Sequence, residues 1–162
     1  MDDFVYKRVT QENDPDLVQV GMLFSEMYSE MKEQGLLLEL ADDGMDKWMT
    51  GMKSALGRFG VLAVAVREGQ LVGFAHGALK LLPDYLGGHK AGIITHIYVS
   101  APYRSRKVGR KLVEILEDWF AEKQVHSIEL QVISKNPARR FWEKTGYGLE
   151  LYQYRKFPGE KS

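Results

Sequence analysis

The sequence predicts an α/β (α+β) domain, a mixed and mostly antiparallel sheet flanked by helices, with elements in the order β-α-α-β-β-β-α-β-α-β. Three observations predict it. Apolar residues recur at helical spacing in two early segments and one long later one. Between them lies a β-branched run followed by Glu68 and Gly69, a two-residue hairpin signal. Later in the chain, strand-like and helix-like segments alternate, which implies crossover connections and a sheet with helices packed on it.

Phe4, Tyr6 and Arg8 alternate with Val5, Lys7 and Val9 as a first strand, and residues 12–15 form a turn. Leu17, Val20, Phe24, Met27, Tyr28 and Met31 mark one face of a helix that Gly35 is placed to cap. After a loop over residues 36–43, a second helix carries Met45, Trp48, Met49, Met52, Ala55 and Leu56 on one side, a stripe that suits a core or a ligand channel. Residues 61–66 and 71–82 are the hairpin strands, and 83–88 a loop. The third strand of this meander, residues 91–99, places Ile93, Thr95, Ile97 and Val99 on one face and Ile94, His96 and Tyr98 on the other. Val108, Leu112, Ile115, Leu116 and Trp119 mark a long amphipathic helix. Residues 127–133 read as a strand, 136–145 as a short helix ended by Gly146, and 147–157 as a last strand.

At 162 residues the chain suits one domain over residues 1–162, able to bury about 70% of its unfolded surface. Apolar residues make up 44% and charged residues 27%, as in a soluble globular protein. Twenty-two basic and 22 acidic residues cancel. A protein that coats nucleic acid or an acidic membrane carries a basic excess, so neither partner is expected. The absence of cysteine removes disulfides, thiolate metal clusters and cysteine nucleophiles. Residues 1–10 lack the pattern of a signal peptide and residues 61–66 are too short an apolar run to span a bilayer, so a cytoplasmic location is the expectation.

Arg104, Arg106, Lys107, Arg110 and Lys111 crowd the start of the long helix. Cations there oppose the helix dipole and cost several tenths of a kcal/mol each, about 0.3 or more, which a bound polyanion would offset. First-turn N–H groups would point at the same ligand, and Gly109 would admit it close to the main chain. A solvated basic helix end is the alternative. The segment Asn136, Pro137, Ala138, Arg139, Arg140, Phe141, Trp142, Glu143, Lys144, Thr145, Gly146, Tyr147 follows the next strand, with Asn136 and Pro137 as a cap and first-turn pair.

Together these segments resemble the GNAT superfamily of coenzyme A dependent N-acetyltransferases. In that family a strand ending in valine is followed by Arg or Gln, two residues, Gly, one residue and Gly or Ala. Later come Asn, a short helix with an aromatic pair, and Gly followed by an aromatic. The resemblance assigns Ile97, Tyr98 and Val99 to backbone pairing with pantetheine, and Arg104, Ser105, Arg106, Lys107, Val108, Gly109 and Arg110 to the diphosphate. It sets Asn136 against the pantetheine arm and Phe141, Trp142 and Lys144 along the cofactor. No metal is implied. Lys107 departs from the family by standing at its first glycine, and Trp142 by replacing the tyrosine that commonly protonates the departing thiolate. An indole N–H is no useful acid, which leaves Tyr147, Tyr152 and Tyr154 as candidates.

The implied reaction is transfer of an acetyl group from acetyl-coenzyme A to a primary amine by direct attack in a ternary complex. The attacking amine must lose a proton, and His96, on the central strand where some members carry an acidic residue, is the candidate base. A histidine bonded within the core is the alternative. Gln131, where ribosomal-protein acetyltransferases often carry glutamate, cannot act as a base. Glu39, Asp42, Asp43 and Asp46 fall in the loop that borders the acceptor site in this family, which suits a cationic amine or a solvated loop with an aspartate cap. The expected partner is a small-molecule or peptide amine, with no nucleic acid, no membrane, and a homodimer left open. The rival reading is a non-catalytic module that senses acyl-coenzyme A.

Overall fold

The computed structural model describes residues 3–159. Strands β1 (Val5–Val9), β2 (Gly60–Arg67), β3 (Gln70–Leu81), β4 (Lys90–Val99) and β5 (Ser127–Leu130) form one sheet in chain order. The first three junctions are antiparallel and the last is parallel. Helices α1 (Leu17–Glu33) and α2 (Gly44–Ala55) cover one face. On the other lies α3 (Val108–Glu122), the crossover that parallel pairing of β4 and β5 requires, with α4 (Arg139–Lys144) packed in the same layer. The mixed, mostly antiparallel sheet flanked by helices is the architecture expected.

β2 shows why its sequence is a continuous apolar run. Leu62 and Val64 enter the layer beneath α1 and α2, while Val61, Ala63 and Ala65 enter the layer beneath α3. Both faces are covered, so alternation disappears. The turn to β3 has positive φ at both residues, 52° at Glu68 and 75° at Gly69, the geometry that matches the twist of a two-residue hairpin. On the α3 face, Gly77 and Gly92 leave bare backbone beneath the Phe120 ring. A Cβ at either position would come within 2.8 and 2.6 Å of that ring.

Three expectations are corrected. A β-bulge interrupts β4, since His96 pairs with His76 but Ile94 pairs with Gly77, leaving Thr95 as the extra residue. Ile94 therefore packs in the layer beneath α3, while His96 and Tyr98 face α1 and α2. Second, β5 stops at Leu130 instead of residue 133, because β4 leaves it after the Ile94–Leu130 pair. Third, residues 147–157 form no strand. Leu149 and Leu151 would face one way and Tyr152 and Tyr154 the other, so a strand there needs cover on both faces, and short β5 supplies neither. Leu151 and Tyr154 are 78% and 92% exposed.

Candidate active site

β4 pairs with β5 only from Ala91 to Ile94, then runs on to Val99 without it. From the bulge onward its far edge presents unpaired backbone, while Ile97, Tyr98 and Val99 remain paired with β3 on the near side. From this open edge the chain passes through a 3-10 turn, Ala101–Tyr103, and a short loop into the start of α3. Gly109 faces Ile97 and Val99, and a Cβ there would lie 3.8 and 3.9 Å from their side chains, an ordinary contact. The result is a groove bounded by the β4 edge and the N-terminal end of α3.

Ser105 and Lys107 both adopt left-handed backbone, with φ of 64° and 65°. Lys107 is the N-cap of α3, and the first bond of the helix runs from Lys111 N–H to its carbonyl at 3.1 Å. Helix geometry leaves the N–H groups of Val108, Gly109 and Arg110 without an intrahelical acceptor. A left-handed residue followed by a helical one turns successive N–H groups toward a common point, the arrangement that cradles anions. Lys107 thus takes the backbone course that glycine takes freely, at a cost of about 1–2 kcal/mol, and adds an ammonium group.

The cations divide. Arg104 turns away from the helix end: its Nη2 donates to both Glu30 carboxylate oxygens at 2.7 and 2.9 Å, and its Nε donates to the Val99 carbonyl at 2.8 Å. Its guanidinium lies over the Tyr98 ring. Tyr98 donates to the same carboxylate at 2.9 Å, and burial together with Glu30 pushes its pKa up to about 12. Arg104 thereby ties the end of β4 to α1. Arg106 lies beside the Tyr103 ring, Arg110 sits 3.6 Å from Glu114, and Lys107 and Lys111 are exposed.

In the second segment, Asn136 accepts the Ala138 N–H at 2.9 Å and holds a turn, so the helix begins at Arg139. Trp142 is 6% exposed in the layer beneath α3, edge-on to Phe141 and Tyr147. Phe141 is half-buried and Lys144 exposed. The Tyr147 hydroxyl donates to Glu117 of α3 at 2.9 Å, and burial and that carboxylate raise its pKa far above the usual range. Tyr152 and Tyr154 stand in the exposed tail.

At the bulge, His96 meets residues that sequence reasoning did not single out for the site. Its Nδ1 lies 3.0 Å from Thr95 Oγ1 and its Nε2 3.4 Å from the Tyr28 hydroxyl, with Phe24 and Trp48 edge-on to the ring. His76, its cross-strand partner, places Nδ1 2.5 Å from the same Thr95 oxygen. That hydroxyl also lies 3.2 Å from the His76 carbonyl, so one side chain with a single proton serves three polar groups. Burial lowers the pKa of His96 to about 4, and burial plus the His96 neighbour does the same for His76. Both are neutral near pH 7.

In the acidic loop, Glu39 pairs with Lys32 at 3.2 Å and Asp43 with Lys47 at 3.1 Å. Asp43 is the N-cap of α2 without a side-chain cap bond. Among the described residues no group of three or more His, Asp or Glu could hold a metal ion, and no helix is long and apolar enough to cross a membrane.

No curated protein matches the sequence. Solved structures do. A glucosamine-6-phosphate N-acetyltransferase from Arabidopsis thaliana superposes with a TM-score of 0.68 at 19% identity, over 96% of this chain and 99% of that one. An aminoglycoside N-acetyltransferase, AAC(6')-Iy, in complex with CoA, gives 0.75 at 15% identity, with 96% of each chain covered. A ribosomal-protein-alanine N-acetyltransferase from Brucella melitensis biovar Abortus 2308 gives 0.67 at 20%, over 95% and 99%. At these identities the likeness is one of fold. The sequence profile of the acetyltransferase (GNAT) family matches residues 22–147, and with the sheet, the groove and the helix end in place the chain belongs to that family, as an acyltransferase dependent on acetyl-coenzyme A.

Proposed function

We propose that the chain, acting as one unit over its length, transfers the acetyl group of acetyl-coenzyme A to a primary amine, with His96 as the proton acceptor. The observation that carries this is the His96 imidazole, held neutral near pH 7 by burial and set at the bulge where β4 leaves β5 and the groove begins.

The residues of the groove suit coenzyme A. The free edge at Ile97, Tyr98 and Val99 offers backbone groups to the amides of pantetheine, with the Val99 carbonyl already engaged by Arg104. The N–H groups of Val108, Gly109 and Arg110, with the cations of Arg106, Lys107 and Arg110 and the turn at Ser105, suit a diphosphate. Asn136, Phe141 and Lys144 lie in the segment expected along the arm. Trp142 serves by packing α4 onto α3, and Arg104 by holding the strand end. Bound there, acetyl-coenzyme A supplies an acyl group activated as a thioester.

His96 stays unprotonated at neutral pH, so its lone pair is available whenever an amine arrives. With a pKa of about 4 it holds a proton weakly. It takes one most readily from a nitrogen made acidic by bonding to the acyl carbon, as the long Tyr28 hydrogen bond gives way; the C–S bond then breaks, and coenzyme A leaves as its thiolate and takes a proton from water.

Release of free thiol, measured against polyamines, aminoglycosides, amino acids and peptides, tests the reading. At least one amine is expected to accelerate release, and His96→Ala to lower kcat by about 10²–10⁴-fold while cofactor still binds. Bound cofactor with no amine ever raising thiol release contradicts the transfer. Full activity in His96→Ala removes His96 as the base.

A further inference from the structure

Glu30 stands on α1, and three hydrogen bonds converge on its carboxylate. Arg104 Nη2 donates to Oε1 at 2.9 Å and to Oε2 at 2.7 Å, and the Tyr98 hydroxyl donates to Oε1 at 2.9 Å. The same guanidinium donates from Nε to the Val99 carbonyl at 2.8 Å and lies over the Tyr98 ring, 5.4 Å from its centroid. The rigid fork of a guanidinium serves both acceptors at once, which a lysine ammonium cannot do.

The direction of that carbonyl decides what the contact does. Ser100 N–H donates to the Val72 carbonyl on the β3 side. Across a trans peptide the carbonyl points the opposite way, so Val99 turns its oxygen to the open side of β4, where the cofactor edge lies. Arg104 therefore caps the last carbonyl of that edge. The cap also closes the chain on itself from residue 99 to residue 104, across the turn Ala101–Tyr103, and so fixes the spacing between the strand end and the loop that follows. Coenzyme A makes that spacing matter. Its pantetheine and diphosphate are covalently joined, and a ligand of two linked parts gains from engaging both only where the two halves of the site are held at the matching separation.

We propose that Glu30 is a positioning residue for the cofactor, acting through Arg104 to hold the edge at residues 97–99 and the loop at residues 104–110 at the spacing that one molecule of coenzyme A spans. This rests on the transferase reading and deepens it. Glu30 reaches the cofactor only through Arg104, so its effect falls on donor affinity. The contacts of His96 with Thr95 and Tyr28 do not involve Glu30, and the chemical step is spared.

The test compares two donors on the full chain, acetyl-coenzyme A and S-acetylpantetheine, which lacks the diphosphate, by thiol release with an amine that the wild type acetylates. Glu30→Gln keeps the size of the side chain and an acceptor for Tyr98 while removing the charge that holds Arg104. Its KM for acetyl-coenzyme A is expected to rise about fivefold at unchanged kcat, the scale of one ion pair within a network. Its kcat/KM for S-acetylpantetheine, which engages one half of the site, stays as in the wild type. Arg104→Gln should show the same split, and the double variant should be no worse than either single one, because both act through one contact. Glu30→Asp, which keeps the charge one methylene short, loses less, and it decides by the same two donors if Glu30→Gln does not fold. An unchanged KM, a loss of equal size with both donors, or effects of Glu30→Gln and Arg104→Gln that add overturns the positioning role; thiol release in that case leaves the transferase reading standing. If no amine yields thiol, the transferase reading falls and calorimetric titration of acetyl-coenzyme A takes over: a Kd about fivefold higher in Glu30→Gln upholds the positioning role and an equal Kd overturns it. No binding by the wild type overturns both.

Discussion

The Thr95 hydroxyl lies within hydrogen-bond distance of the His76 carbonyl and of Nδ1 of both histidines. Thr95→Val keeps the shape of the side chain and strands these groups, so unfolding in denaturant should show a loss of about 1–3 kcal/mol per stranded buried group. Thr95→Ser should restore stability and activity together. If Thr95→Val is as stable as wild type, the hydroxyl does not anchor the two histidines. His96 stands out in the sequence as a candidate, being a histidine on the central strand of this family's motif. Thr95 and His76 do not, because their meeting depends on a one-residue bulge that strict alternation cannot express. Lys107 gives the opposite lesson: the motif marked its position as one where glycine is usual, and its φ of 65° shows the reason.

Among the elements, helices and central strands were legible because a face or a run of apolar residues states how each is covered. Leu17 to Met31 recur at helical spacing under α1, and the run in β2 is buried on both faces. The tail over residues 147–157 was not legible. Its apolar residues satisfy a strand pattern, but pairing is decided by β5, which is four residues long. The approach of α3 to the sheet was hidden too, since it rests on which glycines lie under Phe120. Gly92→Ala forces its Cβ against that ring and is expected to cost about 1–3 kcal/mol in thermal or denaturant unfolding. Gly51→Ala is the contrast: nothing lies within 4 Å of its Cβ in the middle of α2, and a gain of about 0.5–1 kcal/mol is expected. Equal effects at the two positions would contradict the close packing of α3.

For the whole molecule, the buried histidines make stability depend on pH. Both have folded-state pKa values lowered to about 4 from the ordinary 6.5. The unfolded chain therefore takes up more protons than the folded one below about pH 6.5, and stability is lost as pH falls from there to about 4. At about 1.4 kcal/mol per pH unit, each histidine contributes about 3 kcal/mol over that interval. Tyr98 and Tyr147 act at the other end: their raised values mean that stability is lost as pH rises above about 10. Denaturant titrations from pH 4 to 8 should show the acid loss in the wild type and a smaller one in His76→Asn. An equal loss in both would place its origin elsewhere. At the start of α3, Lys107, Arg110 and Lys111 stand beside backbone N–H groups that helix geometry leaves without an intrahelical acceptor. Calorimetric titration of acetyl-coenzyme A into the wild type and an Arg106→Glu, Arg110→Glu variant tests whether that helix end holds the diphosphate. Salt-sensitive binding by the wild type and none detectable in the variant are expected, with the fold of both unchanged by circular dichroism. Equal affinity in the two proteins would contradict it.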